Sequence, residues 1–314
     1  MLTVTDTDTQ PFPDERTVVT IGVYDGLHLG HQAVIAHVRE LAASRGARSA
    51  VLTFDRHPAT VVRPESAPLL LTDAEQRMEL FAATDVDVAV VLPFDEDRAN
   101  ESASDFVEEV LVKCLRAEAV VVGEDFHFGH HREGNVDLLR KFGHTYGFDV
   151  VPVPLLARAD GVEEPISSTA IRRALAGGEV ALAAEMLGRP FEARGMVVHG
   201  DERGRLLGFP TANIEVWNRV CLPADGVYAG WYVDTEGTPR ACAINIGRRP
   251  TFYERADHSL LEAHLLDFDG DLYGEHAKIR FVEFLRSERK FDGIEAIVAQ
   301  LRHDVAHARQ ILLG

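Results

Sequence analysis

Two histidines, His28 and His31, lie in a glycine-rich segment that could bind a phosphate group. Gly22, Gly26 and Gly30 surround them, and glycine lets the backbone approach a ligand closely. The segment follows a β-branched run and precedes a helical pattern, so free helix amides would point at an anion. A spacing of three residues places both imidazoles on one face of that helix. They could donate hydrogen bonds to charge that develops on phosphorus during a transfer reaction.

Asp25 lies in the same segment and joins the three glycines in a predicted nucleotide-binding set. The competing interpretation is that the polar residues of this segment only cap a helix. Three glycines and an aspartate around the His-x-x-His spacing favour the phosphate site.

A second candidate phosphate site begins at Ser167. Ser168 and Thr169 contribute hydroxyl groups, and Arg172 and Arg173 contribute positive charge, at the predicted start of a helix. Hydroxyls, free amides and guanidinium groups together suit a phosphate. Taken alone, the pattern fits an ordinary N-cap equally well.

A third segment combines glycines, arginines and neutral oxygen donors and could fold over a polyphosphate. The glycines are Gly195, Gly200, Gly204 and Gly208, the arginines are Arg203 and Arg205, and the oxygen donors are Thr211 and Asn213. Thr211 and Asn213 are two apart on extended chain, hence on one face. A hydroxyl, an amide carbonyl, phosphate oxygens and water suit Mg²⁺. A β-hairpin with ordinary turn glycines is the competing interpretation.

Glu262 is a candidate general base. Alternation predicts that it shares a strand face with His264, Leu266 and Phe268, and a carboxylate among apolar residues is unusual. A base that accepts a hydroxyl proton fits this setting, and so does an edge-strand charge that prevents aggregation. The spacing alone favours neither interpretation.

The first half of the chain predicts a Rossmann-like α/β domain. Strands that are apolar on both faces and alternate with helices predict a parallel sheet covered on both sides. The predicted strands are 17–21, 47–54, 86–92, 119–123 and 149–153. Ligands of such sheets bind at the carboxyl ends of the strands. The segments that contain His28, His57 and Asp125 all leave such ends, so we expect them to meet at one site.

The second half predicts an antiparallel β-barrel with a packed C-terminal helix. Short alternating runs separated by Gly or Asp turns cover 193–198, 226–233, 240–246, 260–268 and 278–285. A helix from Ile294 to Leu312 is expected to lay its apolar stripe on the barrel. The domain boundary is placed near Pro190, which gives domains of residues 17–190 and 191–314 after a flexible N-terminus of residues 1–16.

The composition excludes several classes of protein. The 314 residues carry a net charge of −18, which disfavours binding to nucleic acid. No apolar run reaches the roughly 18 residues of a membrane span. Three scattered cysteines give no disulfide framework and fit a reducing cytoplasm. A homo-oligomer is compatible with this composition.

At these residues the chain resembles the bacterial bifunctional riboflavin kinase/FMN adenylyltransferase family, the prokaryotic FAD synthetases. The resemblance runs from about Thr17 to Leu312. The matching segments are 22–31, 53–58, 123–129, 167–172, 204–214, 245–252 and 262–274. Phe-Pro-Thr-Ala-Asn and Glu-Ala-His-Leu-Leu-Asp-Phe are highly specific segments, whereas His-x-Gly-His marks a wider nucleotidyltransferase superfamily.

The resemblance implies two reactions that use ATP. The barrel domain would phosphorylate riboflavin to FMN, with Thr211 and Asn213 holding Mg²⁺-ATP and Glu262 taking the hydroxyl proton. The N-terminal domain would transfer AMP from ATP to FMN, giving FAD and pyrophosphate, while His28 and His31 stabilise the α-phosphate. In that domain Ser168, Thr169 and Arg172 would bind the other phosphates, and His57, Asp125, Phe126 and Phe128 would contact the flavin.

The departures from the family pattern are small. Val23 and Tyr24 stand where the family often has Asn-Phe, Arg56 stands where it often has Pro, and Glu163 and Glu164 add negative charge before the second phosphate segment. They could weaken adenylylation, but every catalytic residue type is present.

Three alternatives remain beside this assignment. Aminoacyl-tRNA synthetases also use a His-x-Gly-His turn, but this chain lacks their lysine-rich second signature and its acidity suits tRNA badly. A metal-binding module could use His127, His130 and His131, although no cysteine or carboxylate completes a tetrahedral set. A family member with one active site, or a flavin- or nucleotide-binding protein without activity, would carry the same motifs.

Overall fold

The computed structural model describes residues 1–200, 203–248 and 259–314. The chain divides into two compact units, Met1–Ser167 (unit 1) and Ser168–Gly314 (unit 2). This division precedes the boundary that the sequence suggests near Pro190, and the functional domain boundary stays a prediction.

Unit 1 is built on a parallel sheet. Its strands are β1 (Leu2–Val4), β2 (Thr17–Ile21), β3 (Arg48–Phe54), β4 (Val88–Leu92), β5 (Ala117–Gly123), β6 (His127–Phe128), β7 (Gly134–Asn135) and β8 (Asp149–Val153). Six of them form one sheet in the order β1-β4-β3-β2-β5-β8, and every pairing in it is parallel. All five residues of β2 are buried, as expected for a strand covered on both faces. The predicted Rossmann-like parallel sheet is confirmed.

Helices connect these strands. They are α1 (Leu29–Arg45), α2 (Ala59–Val62), α3 (Ala74–Ala82), α4 (Glu96–Asn100), α5 (Ala103–Phe106) and α6 (Val136–Tyr146), with 3₁₀ turns at Pro64–Ser66 and His130–Arg132 and a π-helix at Val107–Cys114. Gly46 ends α1 with φ of 67°, a left-handed conformation that glycine adopts without strain. The Asn135 side chain caps α6 by accepting from the Leu138 amide. Glycine at the helix C-terminus and asparagine at the N-cap are residues that these two positions favour.

The N-terminus differs from the flexible segment that the sequence suggests. Leu2–Val4 forms β1, which pairs in parallel with β4, and Val4 is buried. Thr3 and Val4 are β-branched and suit an extended chain. Pairing with an otherwise open sheet edge offsets the entropy lost when these residues become ordered.

The start of α3 also differs, by one residue. A capping box is predicted at Thr72, but Asp73 is the N-cap and accepts a hydrogen bond from the Gln76 amide at 2.7 Å. The Thr72 hydroxyl instead accepts a hydrogen bond from the Gly26 amide at 3.1 Å. Because a distant segment engages Thr72, the next polar residue caps the helix.

Unit 2 is a closed antiparallel barrel with helices packed on it. Its strands are β9 (Phe191–Val198), β10 (Ala212–Val216), β11 (Gly226–Val233), β12 (Pro239–Arg248), β13 (Ser259–Leu265) and β14 (His276–Arg286), and its helices are α7 (Ser168–Ala176), α8 (Val180–Leu187), α9 (Arg203–Leu206) and α10 (Ile294–Leu313). The barrel closes in the order β10-β13-β12-β11-β14-β9. The helix α10 packs against β11 and β12. The predicted barrel and its packed C-terminal helix are therefore confirmed.

The sequence predictions for β10 and β13 need correction. The sequence treats Thr211 and Asn213 as extended chain but does not predict β10 as a barrel strand. It extends β13 to Phe268, whereas the strand ends at Leu265. Asp267, with φ of 56°, interrupts the extended chain there. The prediction that Leu266 and Phe268 share a strand face with Glu262 is therefore wrong.

Candidate active sites

The segment between β2 and α1 is held in a strained turn. The Gly22 amide donates a hydrogen bond to the Leu52 carbonyl oxygen on β3 at 3.0 Å. Gly26 has φ of 80°, while Tyr24 and Leu27 have φ of 53° and 38°. Each non-glycine residue in such a conformation costs of the order of 1–3 kcal/mol. Burial of the Tyr24 and Leu27 side chains offsets that cost.

His28 and His31 stack at the N-terminus of α1. Their ring centroids are 3.6 Å apart and their planes meet at 20°. His28 is the N-cap, and its Nδ1 accepts a hydrogen bond from the His31 backbone amide at 3.3 Å. Nδ1 therefore carries a lone pair, which assigns the hydrogen of the neutral ring to Nε2. The cap fixes both the orientation of the His28 ring and the position of its N–H donor.

Burial keeps His31 uncharged at neutral pH. The pKa of His31 lies well below its usual value of 6.5, because the imidazole is desolvated and because a charge on His28 would repel it. Its Nδ1 is buried without a hydrogen-bond partner among the described residues. The Tyr24 ring packs edge-on against it at 4.9 Å, and the Tyr24 hydroxyl is hydrogen-bonded to Thr20 at 2.6 Å.

Asp25 ties this segment to the start of α3. It is 3% exposed, and its Oδ1 accepts hydrogen bonds from the amides of Leu71 at 2.8 Å and Thr72 at 3.2 Å. The Gly26 amide donates to the Thr72 hydroxyl beside it. These bonds give Asp25 a structural role that the sequence did not indicate. Its predicted contact with a nucleotide stays a prediction.

Arg77, on α3, links the ends of β2 and β3. Its Nη1 donates a hydrogen bond to the Val23 carbonyl oxygen at 3.2 Å, and its Nη2 donates to that of Phe54 at 2.6 Å. The Thr53 hydroxyl also donates to Val23, at 3.2 Å. Arg77 is 6% exposed, and burial lowers its pKa below the usual arginine value. The sequence did not single it out, since an arginine on a predicted helix is normally solvated.

Three predicted segments reach the same edge of the sheet. The His57 segment follows β3, the His28 segment follows β2, and the Asp125 segment follows β5. These strands are adjacent and parallel, in the order β3-β2-β5. After β2 the chain adds β3 and then β4 on one side of that strand, and it later adds β5 and β8 on the other side. The carboxyl ends of β2 and β5 therefore flank a topological switch point. Ligands of open parallel sheets bind at such points.

The Asp125 segment leads into the β6–β7 hairpin. The Phe126 and Phe128 rings stack at 5.5 Å, and Phe128 is buried while Asp125 is exposed. A Cβ added at Gly123 would lie 2.9 Å from Asp125 Oδ1 and 3.7 Å from Leu155. An exposed carboxylate beside an aromatic pair is consistent with the predicted flavin contact. At the neighbouring segment, His57 Nδ1 accepts from the Ala59 amide at 3.1 Å.

The histidines of this hairpin are engaged by backbone oxygens. The Nδ1 atoms of His127 and His130 lie 2.8 Å and 3.2 Å from the carbonyl oxygens of Asp125 and Ala99. Within residues 1–200, 203–248 and 259–314, no group of three or more His, Cys, Asp or Glu residues could hold a metal ion. The described geometry gives no support to a histidine metal site at His127, His130 and His131.

Ser168, Thr169 and Arg172 lie at the start of α7, which belongs to unit 2. Thr169 is exposed, and Ser168 and Arg172 are half-buried. Their predicted role as phosphate ligands stays a prediction. Glu164, whose charge the sequence suggests could oppose phosphate binding, pairs with Arg158 at 3.6 Å, which offsets part of that charge.

Two glycines of unit 2 lie directly against the predicted metal ligands. A Cβ added at Gly200 would overlap the side-chain amide of Asn213, and one added at Gly204 would lie 3.5 Å from Thr211 Oγ1. Gly208 has φ of 85°, which turns the chain back. Gly200 and Gly204 therefore pack close to Asn213 and Thr211, and phosphate binding by this segment stays a prediction.

Gly195 and Arg205, the other members of that predicted set, lie in different surroundings. Gly195 is inside β9, paired with Val216 and Ala277 on the neighbouring strands. A Cβ there would overlap the Glu215 carbonyl oxygen, so close strand pairing already explains this glycine. Arg205 is exposed on the loop. Nucleotide binding by both residues stays a prediction.

Three polar residues form one row across adjacent strands of the barrel. Asn213 on β10 is paired with Glu262 on β13, and Glu262 is paired with Asn245 on β12. Directly paired residues point to the same face, with Cβ atoms about 4.5–5.5 Å apart. The flanking pairs, Ala212 with Ala263 and Leu261 with Ile246, consist of buried apolar residues. Glu262 therefore lies on the polar side of its strand, between two amides.

Asn245 is the residue of this row that the sequence did not select. It lies in a segment that carries the family resemblance, but nothing in its spacing places it beside Glu262. The pairing of β12 with β13 brings the two together, and that pairing depends on barrel closure. No signal within a single strand could have found it.

A cavity of about 470 Å³ lies elsewhere in unit 1. Its wall is mainly acidic, with Asp6, Asp8, Asp95, Asp97, Glu101 and Glu109 around Arg98. Such a wall repels phosphates, and none of its residues belongs to a predicted site. We therefore place the two candidate active sites at the carboxyl ends of the parallel strands and at the row of Asn213, Glu262 and Asn245 on the barrel.

Two sequence families match this chain. A model of the FAD synthetase family matches residues 11–170, and a model of the riboflavin kinase family matches residues 187–312. No described helix is long and apolar enough to cross a membrane.

Curated relatives match nearly the whole chain. The bifunctional riboflavin kinase/FMN adenylyltransferase of Escherichia coli K12 is 39% identical over 95% of this chain and 93% of its own length. The Bacillus subtilis protein of that name is 35% identical over 93% of this chain and 92% of its own. A solved structure described as a macrolide-efflux protein from Streptococcus pneumoniae is 29% identical, with a TM-score of 0.87 over 98% of both chains.

Proposed function

Because the chain belongs to the bifunctional riboflavin kinase/FMN adenylyltransferase family, we propose a role for each of its two candidate sites. The protein phosphorylates riboflavin to FMN and then adenylylates FMN to FAD, using ATP in both steps. We assign the kinase reaction to residues 191–314 and the adenylyltransferase reaction to residues 17–190, after an N-terminal segment of residues 1–16.

The row of Asn213, Glu262 and Asn245 is the observation that carries the kinase assignment. It places a carboxylate on a polar strand face, next to Thr211 and Asn213, against which Gly200 and Gly204 lie. An edge-strand charge that prevents aggregation is disfavoured, since β13 is paired on both sides. A general base must reach the hydroxyl whose proton it takes, and this face presents Glu262 beside the residues that we propose hold the phosphates.

In the kinase reaction, Glu262 takes the proton of the terminal ribityl hydroxyl of riboflavin. The hydroxyl oxygen forms a bond to the γ-phosphorus of ATP, and the bond from that phosphorus to the β–γ bridging oxygen breaks, so ADP leaves. Gly200, Gly204 and Gly208 let the loop backbone lie against the phosphates, and Arg205 adds positive charge. Positioning and charge neutralisation suffice for such a transfer.

Thr211 and Asn213 suit a magnesium ion bound with ATP. One hydroxyl and one amide oxygen on the same face are hard oxygen ligands, and Mg²⁺ takes its remaining ligands from phosphates and water. Gly200 packs against the Asn213 amide, which helps to hold that side chain in place. When bound, the ion would neutralise phosphate charge and orient the γ-phosphoryl group.

In the adenylyltransferase reaction, a phosphate oxygen of FMN attacks the α-phosphorus of ATP. The α–β bridging bond breaks, and pyrophosphate leaves. His28 and His31 act as neutral donors to the oxygens that gain charge, because the cap fixes the His28 tautomer and burial keeps His31 uncharged. Gly22, Gly26 and Gly30 would bring the backbone of this segment to the nucleotide.

The remaining predicted contacts belong to the same proposal. His57, Asp125, Phe126 and Phe128 would contact the flavin, and Ser168, Thr169 and Arg172 would bind the other phosphates. Asp25 acts on the nucleotide through the turn that it holds.

A time course with riboflavin, ATP and Mg²⁺ tests both assignments. FMN should appear first and FAD should follow, and added FMN should give FAD without riboflavin. Accumulation of FMN alone would indicate that only the kinase site is active, and no product in either reaction would indicate a flavin-binding protein without activity.

We also propose that the enzyme works in the cytoplasm without nucleic acid. Its three cysteines are buried and form no disulfide, which suits a reducing compartment, and its net charge of −18 disfavours nucleic acid. Sedimentation would show whether it forms a homo-oligomer.

A further inference from the structure

We propose that Asn245 binds the ribityl chain of riboflavin beside Glu262. This inference rests on the kinase assignment above and adds to it the residue on the far side of the base. Asn245 is half-buried on β12 and directly paired with Glu262. In the part of the chain that the structure describes, its side chain makes no hydrogen bond to another residue.

The order of the strands separates the phosphates from the acceptor. Thr211 and Asn213 belong to the β10 side of Glu262, and Asn245 lies on the β12 side. In phosphoryl transfer the attacking oxygen and the leaving oxygen lie roughly in line on opposite sides of the phosphorus. With the triphosphate over β10, the attacking hydroxyl comes from the side of β12. Asn245 is therefore placed to meet riboflavin, while Asn213 meets ATP.

The chemistry around Asn245 suits a chain of hydroxyl groups. Its amide can donate to one hydroxyl oxygen and accept from another. Glu262 lies opposite Asn245 on the paired strand. Gly247 is two residues after Asn245 and on the same face of β12. A Cβ added at Gly247 would overlap the carboxylate of Glu288, so this carboxylate lies on that face as well. Two carboxylates accept hydrogen bonds only, whereas Asn245 supplies donors. Together they offer the mixture of donors and acceptors that adjacent hydroxyls need.

The test replaces Asn245 in the full-length enzyme. Asn245→Ala should raise the KM for riboflavin about 3–10-fold, which corresponds to one neutral hydrogen bond, and leave the KM for ATP unchanged. Asn245→Ser retains a hydroxyl that can donate and should recover part of the loss. FMN adenylylation is the internal control and should not change. Asn218→Ala, at an exposed asparagine of the same unit, is the matched control variant.

A flavin without the ribityl chain separates recognition from packing. Lumiflavin carries a methyl group in place of that chain, so its inhibition constant in the kinase reaction should be equal for wild type and Asn245→Ala. Equal weakening of riboflavin and lumiflavin would overturn the proposal, because it would mean that Asn245 supports the flavin ring or the fold.

Two other outcomes would also overturn it. One is a KM for riboflavin within twofold of wild type in Asn245→Ala, and the other is a rise in the KM for ATP of the same size. Glu262→Gln, assayed in parallel, reports on the kinase assignment itself. If that variant keeps its activity, the base is misassigned, whereas the riboflavin and lumiflavin comparison still decides the role of Asn245.

Discussion

In the proposed reactions His28 and Glu262 both act at phosphorus, but in different ways. His28 donates through a ring whose Nδ1 is occupied by a backbone amide, so it offers a fixed N–H and needs no change of charge. Glu262 must accept a proton, so it needs to be ionised when the substrate arrives. One site therefore depends on a preset tautomer and the other on a charge, and single substitutions can separate them.

His28→Ala should abolish most FAD formation while FMN formation continues. Removal of one preorganised donor to a developing charge costs about 10²–10³ in rate, and the kinase residues lie in the other unit. Separate assays of riboflavin phosphorylation and FMN adenylylation measure the two effects. Equal loss of both activities would mean that the variant unfolds or that the sites are not independent.

Glu262→Gln should show the reverse pattern. The amide keeps the size of the side chain but cannot take a proton, so riboflavin phosphorylation should fall about 10²–10⁴-fold. Riboflavin and ATP should still bind, and added FMN should become FAD at the wild-type rate. Kinase activity within about threefold of wild type would exclude Glu262 as the base.

At the residue scale, the sequence indicates which residue types could serve a site, but it does not indicate which residues they contact in the fold. The family resemblance selects His28, His31, Thr211, Asn213 and Glu262, because the spacing of each also fits a helix cap, a hairpin or an edge strand. The partners of Asp25 and Asn245 lie on other elements, 46 residues away for Leu71 and across a strand pair for Glu262. Such contacts depend on tertiary packing, which local periodicity does not contain.

At the scale of elements, α3 holds the candidate adenylyltransferase site together. It contributes Arg77, whose guanidinium joins the ends of β2 and β3, and its preceding residues anchor Asp25. A buried arginine is costly unless its donors are used, and here two donors reach the carbonyl oxygens of Val23 and Phe54. We infer that α3 fixes the distance between the segments of His28 and His57.

Arg77→Met should lower the rate of FMN adenylylation as its main effect, with a smaller effect on the stability of the fold. Methionine fills part of the space but cannot bridge Val23 and Phe54, and a displacement of about 1 Å at a reacting centre can cost 10²-fold in rate. We expect a 10–100-fold loss of adenylylation with unchanged riboflavin phosphorylation. Arg39→Met, at an exposed arginine on α1 that pairs with Asp85 at 3.6 Å, should leave both reactions unchanged. An Arg77 variant with adenylylation within twofold of wild type would contradict this role.

The elements themselves divide into those the sequence predicts and those it does not. Buried strands such as β2 and β5 follow from continuous apolar runs, and α8 follows from its flanking glycines. The short strands β1 and β10 carry weaker patterns, and each is stabilised by pairing with strands far along the chain. Local patterns therefore find the elements that are stable in most contexts and miss those that need a partner.

At the scale of the whole molecule, the sequence and the compact units place the domain boundary at different residues. The helices α7 and α8 precede Pro190 but belong to unit 2. The helix α8 packs on β9 and β14, and the Ala224 amide donates to the Leu175 carbonyl oxygen at 2.9 Å. Burial of four α8 residues, Val180, Ala183, Met186 and Leu187, explains why this helix belongs to the same compact unit as the barrel. The helical pattern ends at Pro190, whereas the second compact unit begins at Ser168.

Two fragments distinguish these boundaries. Residues 191–314 contain every candidate kinase residue, so this fragment should fold and make FMN from riboflavin. Residues 168–314 should do the same with higher stability, because α7 and α8 cover apolar surface of the barrel. Each buried apolar side chain contributes roughly 1.5–3 kcal/mol, so loss of both helices should lower Tm by at least about 10 °C.

Thermal unfolding and a riboflavin kinase assay on both fragments decide the matter. Equal Tm values would show that α7 and α8 add nothing to the barrel and would favour a boundary near Pro190. A shorter fragment that is insoluble, beside a longer one that folds and is active, would move the boundary to Ser168.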